Sequence, residues 1–260
     1  MSYVLVATGL QREAKLIARP ELVAVACGGH GVVLEAALEA RIAQNRPRGV
    51  MSIGIAGALD PGLRVGDVVC FSLSLYGRGR GPLASSGEWD GEGPFARNAI
   101  HRREPSPSHA AEEASWAPPS PVEGEGKIIG VDLAVTAAAG KAALRAVTGA
   151  AAVDMESHVA ARVAARHNLP FAAVRVVSDT ARYDLPPAAC VPLKPDGTVD
   201  LPRVLAALAR QPSQLPALLR LARDADVALA TLRELLRRLD GLALDRLLGL
   251  DLGELGLDVL

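Results

Sequence analysis

The sequence predicts an α/β domain, and two observations predict it. Short β-rich runs alternate with stretches of helical period, and 260 residues suit one large α/β domain or two small ones. Tyr3 to Ala7 (YVLVA) and Leu22 to Cys27 (LVAVAC) are apolar without alternation, as strands covered on both faces are. Val50 to Ala56 and Val68 to Leu75 read as two more strands, and Ile128 to Val135 and Phe171 to Ser178 as later ones. Helices are expected over Val32 to Gln44, Ala137 to Val147 and Met155 to Asn168. In the last, Val159, Val163 and His167 recur every fourth residue, and Asn168-Leu169-Pro170 stops the helix.

The segment Gly77 to Gly126 breaks this pattern. It holds seven of the 18 prolines, eight of the 25 glycines and both tryptophans, with no helical or strand period. A long irregular loop, partly disordered, is expected there; an altered reading frame is the rival explanation. From Leu201 the chain becomes rich in Leu, Ala and Arg. Leu215, Leu218, Leu219, Ala222, Leu229, Leu232, Leu236 and Leu239 follow the 3–4 spacing of an amphipathic helix, and Leu242 to Leu260 keeps the leucines while gaining glycines and acids. The expected organisation is a domain over residues 1–200 and a helical extension over 201–260. That extension packs on the core or at a dimer interface, with a transient membrane-surface contact as the other reading.

Composition excludes several classes of function. Lys and Arg total 28 against 29 Asp and Glu, so no basic excess offsets nucleic-acid phosphates, and no nucleic-acid partner is expected. No uninterrupted apolar run reaches the ~18 residues of a membrane span. The amino terminus lacks the basic segment and apolar region of a secretory signal. Cys27, Cys70 and Cys190 are odd in number and far apart, against a disulfide framework or a structural metal. A soluble, reduced, cytoplasmic protein is expected.

Four segments carry chemistry. In VLVATGLQREAKL, a strand runs into Thr8-Gly9 and puts Gln11, Arg12 and Glu13 at its carboxyl end, where open α/β sheets place ligands; alone, Glu13 reads equally as a surface carboxylate. In ACGGHGVV, Gly28, Gly29 and Gly31 let backbone N–H groups approach an anion or a ribose. The segment is neither a dinucleotide fingerprint nor a P-loop, and His30 is a ligand donor or an idle loop residue. In SIGIAGALDPGLRVGDVV, small residues at Gly54 to Gly57 bring the backbone close to a bound group, and Asp67 is expected to bond its own backbone in a turn. In AVDMESHVAARVAARHNLPFAAVRVVSDTA, Glu156 and Asp179 end two strands of one sheet, which suits a site that grips a sugar and protonates a leaving group. The plainer reading makes Asp154 or Ser178 a helix cap.

GLQREAKL, GIAGALDPGLRVGDVV, AVDMES and VRVVSDTA resemble, in order and spacing, motifs of the purine nucleoside phosphorylase and methylthioadenosine/S-adenosylhomocysteine nucleosidase superfamily. The likeness runs from Tyr3 to about Ala181, apart from Gly77 to Gly126. VDLAVTAAAGKAAL and LPPAACVPLKPDGTVDLP are similar to its hopanoid-associated phosphorylase branch, which acts on adenosylhopane. The resemblance implies a single domain with a mixed, twisted central sheet flanked by helices, and a homo-oligomer, in the first instance a dimer. It implies cleavage of an N-glycosidic bond, releasing adenine and a ribosyl- or phosphoribosyl-hopane, with no cofactor and with phosphate as an optional co-substrate. The implied substrate is a small-molecule or lipid-linked purine nucleoside, at a peripheral membrane position in the lipid case.

Residue roles follow from the same resemblance. Asp179 would protonate or hydrogen-bond purine N7, with Ser178 beside it. Glu156 would hold the ribose hydroxyls and Met155 would pack on the ribose. Glu13 falls where the nucleosidases keep the glutamate that activates water. Gly9 and the Gly28-Gly29-His30 turn would line the ribose and nucleophile end, and Arg175 would brace the site. Two departures stand out. Ile55 occupies the position of the nucleosidase serine, and Glu13 stands where hexameric phosphorylases carry a phosphate-binding arginine, leaving Arg12 as the candidate phosphate ligand. A methylthioadenosine/S-adenosylhomocysteine nucleosidase and a non-catalytic nucleoside-binding protein are the alternatives.

Overall fold

The computed structural model describes residues 3–73, 128–239 and 248. The expected irregular segment Gly77 to Gly126 and, Leu248 apart, the tail Leu242 to Leu260 lie outside the described residues. In chain order the elements are β1 (Val4–Thr8), α1 (Gln11–Ile17), β2 (Leu22–Ala26), α2 (Gly31–Gln44), β3 (Gly49–Ala58), β4 (Val68–Leu73), β5 (Ile128–Gly130), α3 (Ala138–Thr148), β6 (Ala152–Asp154), α4 (Ser157–Arg166), β7 (Phe171–Asp179), α5 (Leu201–Arg210) and α6 (Leu215–Arg238).

The strands form one mixed sheet, as the fold class required. β1 lies parallel between β2 and β3. β3 is the hub: it pairs in parallel with β7 along almost its whole length, then its last residues, Gly57 and Ala58, turn to pair antiparallel with β6. Gly57 keeps its pairing with β7 while it meets β6, and the register shift at Ala56/Gly57 leaves Ser178 as the extra residue on β7. β4 closes one side antiparallel to β7, and β5 runs parallel to β6. β1, β3 and β7 therefore end on the same edge, with Thr8, Ala58 and Asp179 there.

Side-chain alternation sorts the sheet into two cores. Leu5, Ala7, Val50, Phe171, Ala173 and Val177 pack with Leu34 and Leu38 of α2 and Val159 and Val163 of α4. Val4, Val6, Met51, Ile53, Val174 and Val176 face the opposite way, against Ala228, Leu229, Leu232 and Leu236 of α6. By the same alternation Ser52 and Arg175 sit on the α2/α4 side, and this fixes their partners below.

Three expectations need correction. The run Ile128 to Val135 is strand only to Gly130, where a Cβ would come within 2.4 Å of the His158 ring, so α4 crosses too closely for the strand to carry a side chain there. The stripe of α6 is buried only in its second half. Leu215 and Leu219 are exposed, and the core begins at Ala228, where α6 joins Met51 and Ile53 of β3 and Val174 and Val176 of β7. The helix α1 has no counterpart in the apolar pattern, because it is only seven residues long. It starts where Glu13, at its third position, reaches back to the Leu10 N–H; Leu10 has no polar atom, so only the acid half of a capping box forms. At the far end of α6, Arg19 donates to the carbonyls of Leu236 and Leu239, a cation on the negative helix terminus. The turn chemistry of the third segment is as expected: Asp60 accepts from Gly62 N at 2.8 Å and Asp67 from Arg64 N at 2.7 Å.

Candidate active site

Glu13 is buried at the start of α1, just past the end of β1. Its Oε2 accepts from the Thr8 hydroxyl, from Gly9 N at 3.1 Å and from Leu10 N at 2.7 Å. Its Oε1 accepts from Ile55 N at 2.7 Å. Ile55 thus contributes its backbone, which does not depend on the serine side chain that the position lacks. A Cβ at Gly54 would lie 2.7 Å from Glu13 Oε1 and 2.6 Å from Arg175 Nη1; glycine lets these two atoms come together over the strand.

Arg175 is fully buried in the middle of β7. Nε donates to Asp154 Oδ2, and Nη2 donates to Ser52 Oγ at 2.5 Å, with Ser157 Oγ at 3.3 Å and Glu156 Oε2 at 3.4 Å. Its Nη1 has no hydrogen-bond partner. Burial works against its charge, but the carboxylates of Asp154, Glu156 and Glu13 outweigh burial and hold its pKa above the ordinary value. Asp154 also accepts from Ser157 Oγ, from Ser157 N at 2.9 Å and from Glu156 N at 3.2 Å, so it opens α4 as a cap in addition to pairing with Arg175.

Glu156 follows β6 and faces the same cluster. Burial raises its pKa to about 8; Arg175 opposes that shift, and the neighbouring Asp154 and Glu13 reinforce it. Gly9 packs directly beneath it: a Cβ there would meet Glu156 Oε1 at 2.8 Å. Met155 lies against the second segment, its Cε 2.9 Å from where a Gly29 Cβ would be. Gly28 and Gly29 have φ of 60° and 77°, the left-handed region that favours glycine. Gly28 N donates to Gly9 O at 2.8 Å, tying the first two segments together. His30 folds back on its own turn, with Nδ1 3.0 Å from Cys27 O, which leaves Nε2 as its outward atom. Burial, and secondarily Glu156, pushes the Cys27 thiol up to about 12, so this cysteine is no thiolate nucleophile.

Asp179 ends β7, and Ser178 Oγ lies 3.2 Å from both Asp179 Oδ1 and Ala56 O. Its Oδ2 accepts from Lys141 Nζ, which also donates to Thr180 O at 2.9 Å. A cleft beside it is lined by Thr180, Tyr183, Leu185, Pro186 and Leu221 among others. Among the described residues no group of three His, Cys, Asp or Glu side chains could hold a metal ion.

The structure therefore brings Gly9, Glu13, Gly28, Gly29, Met155, Glu156 and Arg175 together, with Ser178 and Asp179 on the same sheet edge. It corrects one expectation. Arg12 does not turn inward: its guanidinium is at the surface, 2.8 Å from Asp226 of α6. Successive helical residues are about 100° apart, so with Glu13 inside, Arg12 points out. The sequence reading missed Lys141, whose signal was its spacing: Lys141, Leu144 and Thr148 form the buried stripe of α3.

With the fold and the strand-end cluster described, the comparisons identify the family. The chain matches the Phosphorylase superfamily over residues 13–188, and it belongs to that superfamily. A 5′-methylthioadenosine/S-adenosylhomocysteine nucleosidase of Treponema pallidum is 34% identical over 176 residues, which are 60% of this chain and 65% of that protein. The chain thus matches slightly under two thirds of that relative's length. Among solved structures, a mutant 5′-methylthioadenosine-bound nucleosidase of Helicobacter pylori aligns with a TM-score of 0.49 at 14% identity, over 92% of this chain and 100% of that one. A futalosine hydrolase mutant of the same organism gives 0.48 at 15%, over 92% and 100%.

Proposed function

We propose that the chain hydrolyses the N-glycosidic bond of an adenosine derivative, and that its substrate is an adenosylated hopanoid (adenosylhopane), which gives adenine and ribosylhopane. The observation that carries this reading is the gathering of three strand-end carboxylates in three different environments. Glu13 accepts three hydrogen bonds at Oε2 and one at Oε1, Glu156 is buried with a raised pKa, and Asp179 is ion-paired and partly open.

Cleavage builds positive charge at the anomeric carbon and negative charge on the purine. Glu13 Oε1 and Arg175 Nη1 meet over Gly54, and Glu13 is the carboxylate assigned to the attacking water. Glu13 takes a proton from that water as its oxygen attacks, and its negative charge favours the cationic centre. Glu156, with part of its population protonated near neutral pH, can both donate to and accept from the ribose hydroxyls, while Met155 packs on the sugar. Asp179 delivers the proton to purine N7, steadied by Ser178. Tyr183, Leu185 and Pro186 beside it offer a ring and apolar walls to the base.

Water is favoured over phosphate by charge. One guanidinium faces Asp154, Glu156 and Glu13, so the pocket holds more negative than positive groups, and a phosphate dianion is repelled there. Arg12, the other candidate, is spent on Asp226. The lipid-linked substrate is supported by the resemblance of the alanine-rich α3 segment and by the site's margin. Val32 and Val33, directly after the Gly28-Gly29-His30 turn, are exposed, an apolar mouth at the ribose end. The exposed Leu201 and Leu205 of α5 and Leu215 and Leu219 of α6 supply surface for a second copy or for peripheral membrane contact in the cytoplasm. No helix among the described residues is long and apolar enough to cross a membrane. Hydrolysis of methylthioadenosine is the second reading, favoured by the Treponema relative.

Adenine release from adenosylhopane, with and without phosphate and with the lipid product weighed by mass spectrometry, tests the proposal. Phosphate-independent release with ribosylhopane is expected. A phosphoribosyl product would make the reaction phosphorolysis, and turnover of methylthioadenosine alone would replace the hopanoid substrate.

A further inference from the structure

Lys141 is the largest buried cation without a place in the chemistry above. It is fully buried, yet its stem enters from α3, an element that contributes nothing else to the site. A buried ammonium is costly unless it is paired and hydrogen-bonded, and both partners it has, Asp179 Oδ2 and Thr180 O, lie at the end of β7. The hydrogen bond from Ser178 goes to the other oxygen, Oδ1. The Asp179 side chain is 16% exposed while that of Lys141 is 1% exposed, so Lys141 stands behind Asp179, on the side away from solvent.

That arrangement bears on where the proton comes from. It sets a second proton donor, the ammonium N–H, directly against the carboxyl group that faces the cleft. Resting on the reading of Asp179 as the acid at purine N7, we propose that Lys141 is the positioning residue that supplies this proton through Asp179. As the bond between the anomeric carbon and N9 breaks, its electron pair passes into the purine. N7 takes a proton from Asp179, and Asp179 takes one from the Lys141 ammonium. Asp179 ends as a carboxylate, Lys141 as a neutral amine and the purine as neutral adenine. The lysine regains its proton from water through Asp179 once adenine has left. The proton arrives on Oδ2, so the same Oδ2–H delivers it to N7, while the Ser178 hydroxyl lies against Oδ1.

The test uses the full chain and two substrates: the adenosine derivative that the wild type turns over, and 4-nitrophenyl riboside, whose leaving phenolate needs no proton. Lys141→Met should lower kcat for adenine release on the order of 10²–10³-fold with KM within a few-fold, and leave nitrophenolate release within a few-fold of wild type. Lys141→Arg, which keeps a cationic donor, should recover at least a tenth of the loss on a logarithmic scale. Added to Asp179→Asn, Lys141→Met should cost nothing further, because a residue acting through Asp179 has no effect once Asp179 is gone. Full adenine release by Lys141→Met, equal loss on both substrates, or additive losses in the double variant would each overturn the proposal. A folded wild type that releases neither adenine nor nitrophenolate would instead overturn the proposed activity.

Discussion

Around Arg175, Glu13, Glu156 and Asp154 are all buried, and the oxygens and nitrogens of the four are bound by Thr8, Ser52, Ser157 and the backbone of Gly9, Leu10 and Ile55. At the end of β7, Asp179 has one buried ion partner and one hydroxyl, and it borders a cleft. A dense network in low dielectric fixes geometry and makes every member costly to remove. A single pair at the rim leaves part of the Asp179 carboxyl facing the cleft. In the proposed reaction the first cluster orients the sugar and the second serves the base.

The largest effect should come from the sparser end. Asp179→Asn should lower kcat for adenine release by about 10²–10⁴-fold and also lower the urea midpoint, because the buried Lys141 ammonium loses its carboxylate; a loss of kcat below tenfold in the folded variant would remove Asp179 as the acid. Next, Arg175→Met should destabilise the fold by about 3–5 kcal/mol, because Asp154 would be left as an uncompensated buried charge. Urea unfolding measures this, and a cost under about 1 kcal/mol would mean that the network does not depend on its cation.

Glu156→Gln separates orientation from stability. The folded carboxyl titrates at about 8, above its ordinary 4.5. The protonated form is thus favoured by the fold, and the wild type loses stability as pH rises from about 4.5 to about 8, with no further loss from this group above that. The variant should lack that slope, so its stability relative to wild type should grow with pH across the window, while its KM for the nucleoside rises. Parallel pH–stability curves would contradict the raised pKa. The smallest effect is expected at Arg12→Ala. An exposed pair with Asp226 contributes at most about 1 kcal/mol, and adenine release should not change with or without phosphate. A phosphate-dependent defect in that variant would return Arg12 to the site.

Much of the site was legible because strands advertise their ends. The apolar runs before Thr8, Asp154 and Ser178 stop at polar residues, so Glu13, Glu156 and Asp179 could be placed on a sheet edge from sequence alone. The glycines at 9, 28 and 29 announced close backbone approach, which the left-handed φ angles and the contacts with Glu156 and Met155 bear out. The outward turn of Arg12 was also derivable, since helical geometry separates it from Glu13. The spacing of Lys141, Leu144 and Thr148 marked a buried stripe on α3, but nothing local named a partner for an ammonium on it.

What the sequence determined by itself is therefore the α/β class, the order of the strands along the chain and the residue types at their ends, because these follow from local period and turn chemistry. Tertiary structure decided the rest. Arg175 finds Asp154 across 21 residues and Lys141 finds Asp179 across 38. β3 meets β1 along its first residues and β6 at its last two, and α6 buries only half its length. Each of these depends on which elements lie side by side, and a charge in the interior is settled by the partner that packing brings to it.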